Sequence, residues 1–420
     1  MSKKKRRPLI DLQAESRTAD SRLPPRSTPI PVAFFGEPGL DFDSAVLEQI
    51  HKAASLPVAV KAAVMPDGHP GYALPIGGVI ALEDAVSPSF VGYDIACRMT
   101  LSLLDLTPSE LLQNRQQIAS DMQGVSSFGL GSGFRGQERR QHPVMEDPLW
   151  KEIPSLRALH SLAGEQLGSS GGGNHFFDCV IGEVLAEAEW MPLPVGSRFV
   201  AIMTHSGSRG VGNKLAHIYQ KLAAAETRKI ASGIPGGYEW LSMRSGAGQE
   251  YWQVMQLMGR YAQANHHLIH DHFIARSGLR SIARWENHHN FAFLEGGLVV
   301  HRKGATPAEQ GRVGIIPGSS GTPSYLVEGL GNAEGLNSSS HGAGRLRSRT
   351  ASRAQFDAAA FERHMRQRDI LAIGVAPDET YAAYKDIERV MQLQEGVLVR
   401  SIARLQPAIV VMGGPSDDGD

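Results

Sequence analysis

Chemistry is first legible in this chain at Ser340-His341-Gly342-Ala343-Gly344-Arg345, an imidazole set among residues too small to hinder approach. Glycine lets a backbone come close and adopt positive φ, so a bulky ligand can reach His341. The guanidinium of Arg345, four residues on, offers a planar fork that suits phosphate. One reading is a nucleophilic or ligand-gripping histidine over a phosphorylated substrate. The other is a Gly-rich surface turn that happens to hold a histidine.

Other stretches carry ligand chemistry. Asp94 and Cys97 are three apart, a spacing that places both side chains on one face of a helical turn. A carboxylate beside a thiolate makes a metal half-site, whereas a small buried thiol beside a capping Asp needs no metal. Gly171-Gly172-Gly173-Asn174-His175 delivers two polar side chains to a strand that carries Asp178, as a ligand loop or as a flexible turn. His205-Ser206-Gly207-Ser208-Arg209-Gly210 follows an apolar run and precedes a helix, an order that suits an anion. It lacks the Gly-Lys-Ser/Thr ending of a Walker loop.

His266 and His270 have the i, i+4 spacing of a helical metal pair, but no Glu lies between them and no third ligand is evident. They are expected on a solvated or packing face. Further on come Glu286-Asn287-His288-His289-Asn290, then His301-Arg302-Lys303, then Pro317-Gly318-Ser319-Ser320.

Elements must carry these loops. Phe42–Ala54 has the apolar periodicity of an amphipathic helix, and Asn213 can cap a helix running to about Ala225. A long helix is expected over Tyr251–Arg276, and another over Ala383–Gln394. Short strands are expected at 90–93, 176–181 and 199–204. Met65-Pro66-Asp67-Gly68-His69-Pro70-Gly71 reads as a shaped loop leading into Ile76–Ile80.

Composition narrows the class. At 42% hydrophobic and 20% charged residues, the 420-residue chain is ordinary for a globular protein. Length alone suggests two or three domains. A net charge of −1 gives no global basic field, so any polyanion site must be local. Cys97 and Cys179 build no disulfide framework, and no apolar run is long enough to span a membrane; a reducing cytoplasmic setting is expected. Lys3-Lys4-Lys5-Arg6-Arg7 is a nucleic-acid arm or, as expected here, part of a disordered tail over 1–31; 415–420 is a short acidic tail.

Six such loops, each ending an apolar run, suggest one composite pocket. The blocks MPDGHPG, LPIGGVIA, VGYDIAC, GGGNHFF, HSGSRGVG, HHNFA, HRKGAT, PGSSGT, SHGAGR and AYKDIERV resemble the RtcB family of GTP-dependent RNA ligases, from about Gln49 to Gly413. The resemblance implies a single compact α+β domain over 32–414, its strands framing a central pocket, in place of several domains.

It further implies a site for two manganese ions held by Asp94, Cys97, His175, His205 and His289, with Cys97 touching both. His341 matches the histidine that takes GMP from GTP. Asn174, His175, Asp178, Arg209, His289, Asn290, Pro317, Gly318, Ser319, Ser320, Ser324, His341, Gly342, Ala343 and Gly344 match nucleotide contacts, with Arg209 near the phosphates. The implied substrates are RNA with a 3′-phosphate or 2′,3′-cyclic phosphate and RNA with a 5′-hydroxyl, in RNA repair or tRNA splicing, by a monomer that an archease-type activator assists in some relatives. The implied alternatives are a metal-dependent phosphoesterase and a non-ligating RNA-binding relative.

The chain departs from the family pattern at Met412, where a Lys contacting the nucleotide is usual; the alternatives are that Lys303 or another base substitutes or that guanine selectivity is relaxed. It departs also at Asp178 (often Glu), Gly68 (β-branched) and His266 (Arg).

Overall fold

Two mixed sheets with helices around them account for most of the described residues. The structure, a computed structural model, describes residues 22–414. The expected acidic tail at 415–420 and the basic run at 3–7 lie outside the described residues. Of the stretch expected as an N-terminal tail, residues 22–31 are described. There Leu23 N–H bonds to Ile230 O at 2.9 Å, and the Arg26 guanidinium reaches the carbonyls of Leu56, Pro57 and Ala59 at 3.1–3.2 Å.

The larger sheet runs in the order Val313–Ile316, Ser324–Gly329, Val399–Met412, Phe176–Val184, Arg198–Ser206, Arg98–Leu104, Ser281–His288, with Leu371–Ile373 added in parallel to the end of Val399–Met412. Its outer strands approach each other, because Asn287 Oδ1 accepts the Ile315 N–H at 2.9 Å. The smaller sheet runs Val32–Phe34, Ala59–His69, Ile76–Leu82, Leu298–Lys303, Asn290–Glu295. A two-stranded ribbon, Ala305–Pro307 with Ser338–Ser340, connects to both the smaller sheet and the His341 turn. The expected α+β class with strands framing a pocket is what is found.

Period-two patterning explains the central strands. Phe177, Cys179, Ile409 and Val411 point into one apolar cluster with Ile269 and Phe273 of the long helix. The alternate residues Phe176, Asp178, Val410 and Met412 line a cavity on the other face. The long helix spans Gly246–Ser277, capped by the Ser245 hydroxyl at Gly248 N and closed by left-handed Gly278.

Several local expectations change. Residues 90–93 are not a strand: Pro88–Val91 is a single helical turn, with Pro at its first position. The MPDGHPG block is not a loop but the end of strand Ala59–His69. Pairing with Ile76–Leu82 is interrupted between Val64 and His69, so Pro66 sits where no ladder donor is needed. Gly68 is demanded by space, since a Cβ would fall 2.7 Å from Val64 Cγ1 and 2.9 Å from the Phe42 ring. The helix after His205 begins at Arg209 rather than Asn213 and runs to Ile230. The C-terminal helix shrinks to Ile387–Gln392, after a short turn at Tyr381–Ala383.

Candidate active site and metal centre

Four neighbouring strands of the larger sheet end at the same edge, and each presents one ligating side chain there. His175 precedes Phe176–Val184, His205 lies near the end of Arg198–Ser206, Cys97 precedes Arg98–Leu104, and His289 follows Ser281–His288. Strands so paired lie about 4.8 Å apart, so residues level with one another across the sheet meet without help from long side chains. The Phe176–His205 and Met99–His205 register pairs set that level.

The result is a tight, buried cluster. Cys97 Sγ lies 3.0 Å from His205 Nε2 and 3.5 Å from His175 Nε2. His205 Nε2 is 3.1 Å from His289 Nε2, and Asp94 Oδ2 is 2.9 Å from His175 Nε2. Two ligand triads follow, Asp94-Cys97-His175 and Cys97-His205-His289, with Cys97 in both. A non-glycine left-handed residue, Ala96 (φ 61°), turns the chain so that Asp94 and Cys97 meet.

The donor chemistry fits cations. Burial holds His205 down at about 3 and His289 well below the usual imidazole range, with neighbouring imidazoles adding to both, so the rings are neutral ligands. Burial opposes ionisation of Asp94, yet the His175 hydrogen bond and the charges of His175 and Arg209 hold it at about 2. Burial and then Asp94 push the Cys97 thiol up, a cost that a bound cation removes by stabilising the thiolate. His205 Nδ1–H donates to Asn174 O at 3.0 Å, which turns the Nε2 lone pair toward the cluster. The Nδ1 of His289 is buried without a partner.

His341 stands beside this cluster, its ring centroid 5.1 Å from that of His289. One oxygen of buried Asp67 accepts the His341 Nδ1–H at 2.6 Å, the His341 backbone N–H at 3.0 Å and the Gly342 N–H at 3.3 Å. That assignment leaves Nε2 as the nitrogen with a free lone pair. Close packing enforces the turn. A Cβ on Gly344 (φ 74°) would fall 2.2 Å from Asp67 O, and one on Gly304 (φ 61°) 2.2 Å from Ile76 Cγ2 and 3.1 Å from the His341 ring.

His341 opens into a cavity of about 710 Å³. Asn174, Asp178, Pro317, Gly318, Ser319, Ser320, Ser324, Gly342, Ala343 and Gly344 line it as well. His175, Arg209, His289 and Asn290, also expected at the nucleotide, instead lie beneath it, in and around the cluster. Asn290 Oδ1 accepts the Gly304 N–H at 2.8 Å.

Arg209 is buried and donates to His175 Nδ1 at 2.8 Å; a Cβ on Gly171 would fall within 2 Å of its guanidinium. At the N-terminus of this helix, Gln166 Oε1 accepts the Gly210 N–H at 3.0 Å, so one of its free donors is already used.

Of the two alternatives for His266 and His270, the packing face is the one found: both are fully buried and converge on Thr204 Oγ1 at 2.6 and 2.8 Å, with Ser102 on the far nitrogen of His270. They serve packing and hydrogen bonding, away from either triad. Lys303 lines the cavity, but its ammonium is tied to the carbonyls of Tyr72 and Ser89. Arg345 is held by Asp378 O at 2.9 Å, against Ser352 and Glu379. The functional residue missed from sequence is Asp67; its only sequence signal is an acid framed by Pro and Gly in MPDGHPG.

The family model for "tRNA-splicing ligase RtcB" matches residues 49–413. The chain belongs to the RtcB family. A tRNA-splicing ligase RtcB from Thermococcus kodakarensis is 32% identical over 446 residues, covering 87% of this chain and 91% of that protein. The RNA-splicing ligase RtcB of Escherichia coli K12 is 30% identical over 407 residues, covering 89% and 96%. That of Mycobacterium tuberculosis is 30% identical over 434 residues, covering 87% and 100%. Met412 sits in an apolar cluster with Met365, Ile370 and Val410.

Proposed function

We propose that this protein is an RNA ligase that joins a 3′-phosphate end to a 5′-hydroxyl end through a guanylylated His341. The observation that carries the reading is the Asp67–His341 pair, which leaves an imidazole Nε2 lone pair free beside two triads of candidate metal ligands. The family supplies the reaction class and the RNA substrate.

Asp94, Cys97 and His175 would hold one divalent cation, and Cys97, His205 and His289 a second; manganese is the family's metal. Bound there, the cations offset charge on a triphosphate. Asp67 keeps the His341 proton on Nδ1. His341 Nε2 then attacks the α-phosphorus of GTP: an N–P bond forms, the bridging P–O bond breaks and pyrophosphate leaves. An oxygen of the RNA 3′-phosphate next displaces His341 and carries GMP. The 5′-hydroxyl oxygen attacks the 3′-phosphorus, its proton passes to solvent, and GMP departs. A 2′,3′-cyclic end enters once water has opened it to the 3′-phosphate.

Asn174, the Pro317–Ser320 loop, Ser324 and the Gly342–Gly344 turn form the nucleotide walls in this reading. Arg209 acts through His175, as a positioning residue, and Asn290 through the Gly304 backbone.

The test is label transfer from α-labelled GTP in manganese, before RNA is added. Wild type should gain an acid-labile, alkali-stable label, and His341→Ala and His289→Ala should gain none. Label persisting on His341→Ala overturns the mechanism. Unlabelled wild type that still releases phosphate from RNA ends points to a metal-dependent phosphoesterase.

A further inference from the structure

Asp67 holds two imidazoles. Its carboxylate fixes His341, and its backbone carbonyl accepts the His69 Nδ1–H at 2.9 Å. A carbonyl oxygen only accepts, so His69 keeps its proton on Nδ1 and its lone pair on Nε2. The two rings lie nearly parallel, tilted by 22° with centroids 6.4 Å apart, and both line the cavity. His69 and His341 therefore present the same tautomer to one space.

Among the described residues none bonds to His69 Nε2, which leaves that nitrogen to the cavity. The strand end that carries the ring is pinned from both sides. Lys385 Nζ donates to Gly68 O at 2.5 Å and to Asp41 O at 2.8 Å, and Gln49 Oε1 accepts the Gly71 N–H at 3.1 Å. Burial, with the charges of His341 and Lys385 adding to it, holds His69 at about 4, so the ring is neutral. A neutral Nε2 gains nothing from a phosphate oxygen, but it accepts a hydrogen from an O–H group. The negative charge of bound RNA ends raises such a ring toward the working pH, where a proton acceptor is most effective.

Other titratable groups on the cavity wall are engaged. Lys303 and Lys385 are spent on carbonyls, Glu379 on Arg345 and Arg349, and the Tyr384 hydroxyl on Glu379. The chemistry supplies the matching demand. Of the three nucleophiles that act on a 3′-phosphate end in the sequence above, the His341 nitrogen and the phosphate oxygen attack without losing a proton. Only the 5′-hydroxyl must lose one.

We propose that His69 is a catalytic residue of the joining step, the general base that takes the proton of the RNA 5′-hydroxyl. The 5′-oxygen forms its bond to the 3′-phosphorus while its proton moves to His69 Nε2. The bond from that phosphorus to the GMP oxygen breaks, GMP leaves with the electron pair, and His69 releases the proton to solvent. His341 handles the nucleotide, and the ring stacked beside it handles the hydroxyl.

The inference rests on the guanylylated-His341 reading, and one experiment separates their failures. Wild type, His69→Ala and His69→Gln receive α-labelled GTP, manganese and RNA with a 3′-phosphate, and RNA with a 5′-hydroxyl is added afterwards. Both variants should take label and pass it to the RNA 3′ end within about threefold of wild type, while joining slows by at least about 100-fold, the lower end of what a general base contributes. Labelled 3′-guanylylated RNA should therefore accumulate. Glutamine accepts a hydrogen bond but no proton, so His69→Gln should stay as slow as His69→Ala.

Joining at the wild-type rate in either variant overturns the inference and leaves the His341 reading standing. Recovery in His69→Gln alone also overturns it, by making the ring a positioning group. Label transfer slowed as much as joining, or lost in both variants, overturns it by making His69 a support for His341. No label on wild type overturns both readings. Label on a variant reports that its cavity is folded, and where His69→Ala takes none, His69→Gln decides.

Discussion

At the scale of single residues, the arrangement around His341 turns on one carboxylate oxygen. Asp67 Oδ2 takes the ring Nδ1–H and two backbone N–H groups, so it sets the tautomer and the turn together. Asp67→Asn keeps the volume but places an amide N–H or a weaker acceptor against Nδ1, allowing the wrong tautomer. Comparable Asp-to-Asn changes behind a catalytic histidine cost on the order of 10⁴-fold in rate. We expect histidine labelling by GTP to fall by at least about 100-fold with little change in GTP binding to the variant. A loss confined to binding would show that Asp67 shapes the pocket and leaves the imidazole unaffected.

At the scale of elements, the edge of the larger sheet and the helix behind it divide the histidines by role. The strand ends put His175, His205 and His289 with Cys97, whereas the helix Gly246–Ser277 sends His266 and His270 to Thr204 on the rear of the same strand as His205. Cys97→Ala removes a side chain common to both triads. The manganese retained after incubation with that ion and dialysis, measured by atomic emission, and the turnover should drop by more than the 10–100-fold typical of losing a supporting group if the proposed centre is the one that binds it. His270→Ala should keep metal content near two ions per chain. It should unfold more easily by about 1–3 kcal/mol, since the hydroxyls of Thr204 and Ser102 each lose a buried partner. Equal metal loss in the two variants would assign the helix histidines to the centre after all.

At the scale of the whole molecule, closing the cavity buries charge that the unfolded chain leaves in water. Lys303 is the clearest case: burial pushes its ammonium from 10.5 down to about 7. Between those values the unfolded chain holds this proton and the folded chain does not. The unfolded state binds more protons there, so this group makes stability rise as pH climbs from about 7 to about 10. Lys303→Met abolishes the contribution. Urea denaturation across that range should give a shallower rise for the variant than for wild type. Parallel curves would mean that the carbonyls of Tyr72 and Ser89 keep the ammonium charged throughout.

The ordered blocks of Gly, His, Asn, Ser and Arg were enough, by sequence alone, to mark the family, and through that resemblance to name Asp94, Cys97, His175, His205 and His289 as candidate ligands and His341 as the candidate nucleophile. Spacing and small neighbours alone left each of those stretches open between a ligand site and an ordinary turn. The long helix and the apolar strands were legible for a similar reason, since their periodicity is local.

Only the tertiary structure decided what depends on residues distant in the chain. Asp67 meets His341 across 274 positions, and nothing in MPDGHPG itself says which imidazole its carboxylate will hold. Proline in that block read as a loop because the interrupted pairing that tolerates it lies on a partner strand. His266 and His270 read as solvated or packing because their hydroxyl partners come from other strands. Strand order placed the four ligating residues at one sheet edge, and register set Asp178 among Phe176, Val410 and Met412. Pairing partners are chosen by the global burial of apolar faces, and that choice is not written in any single segment.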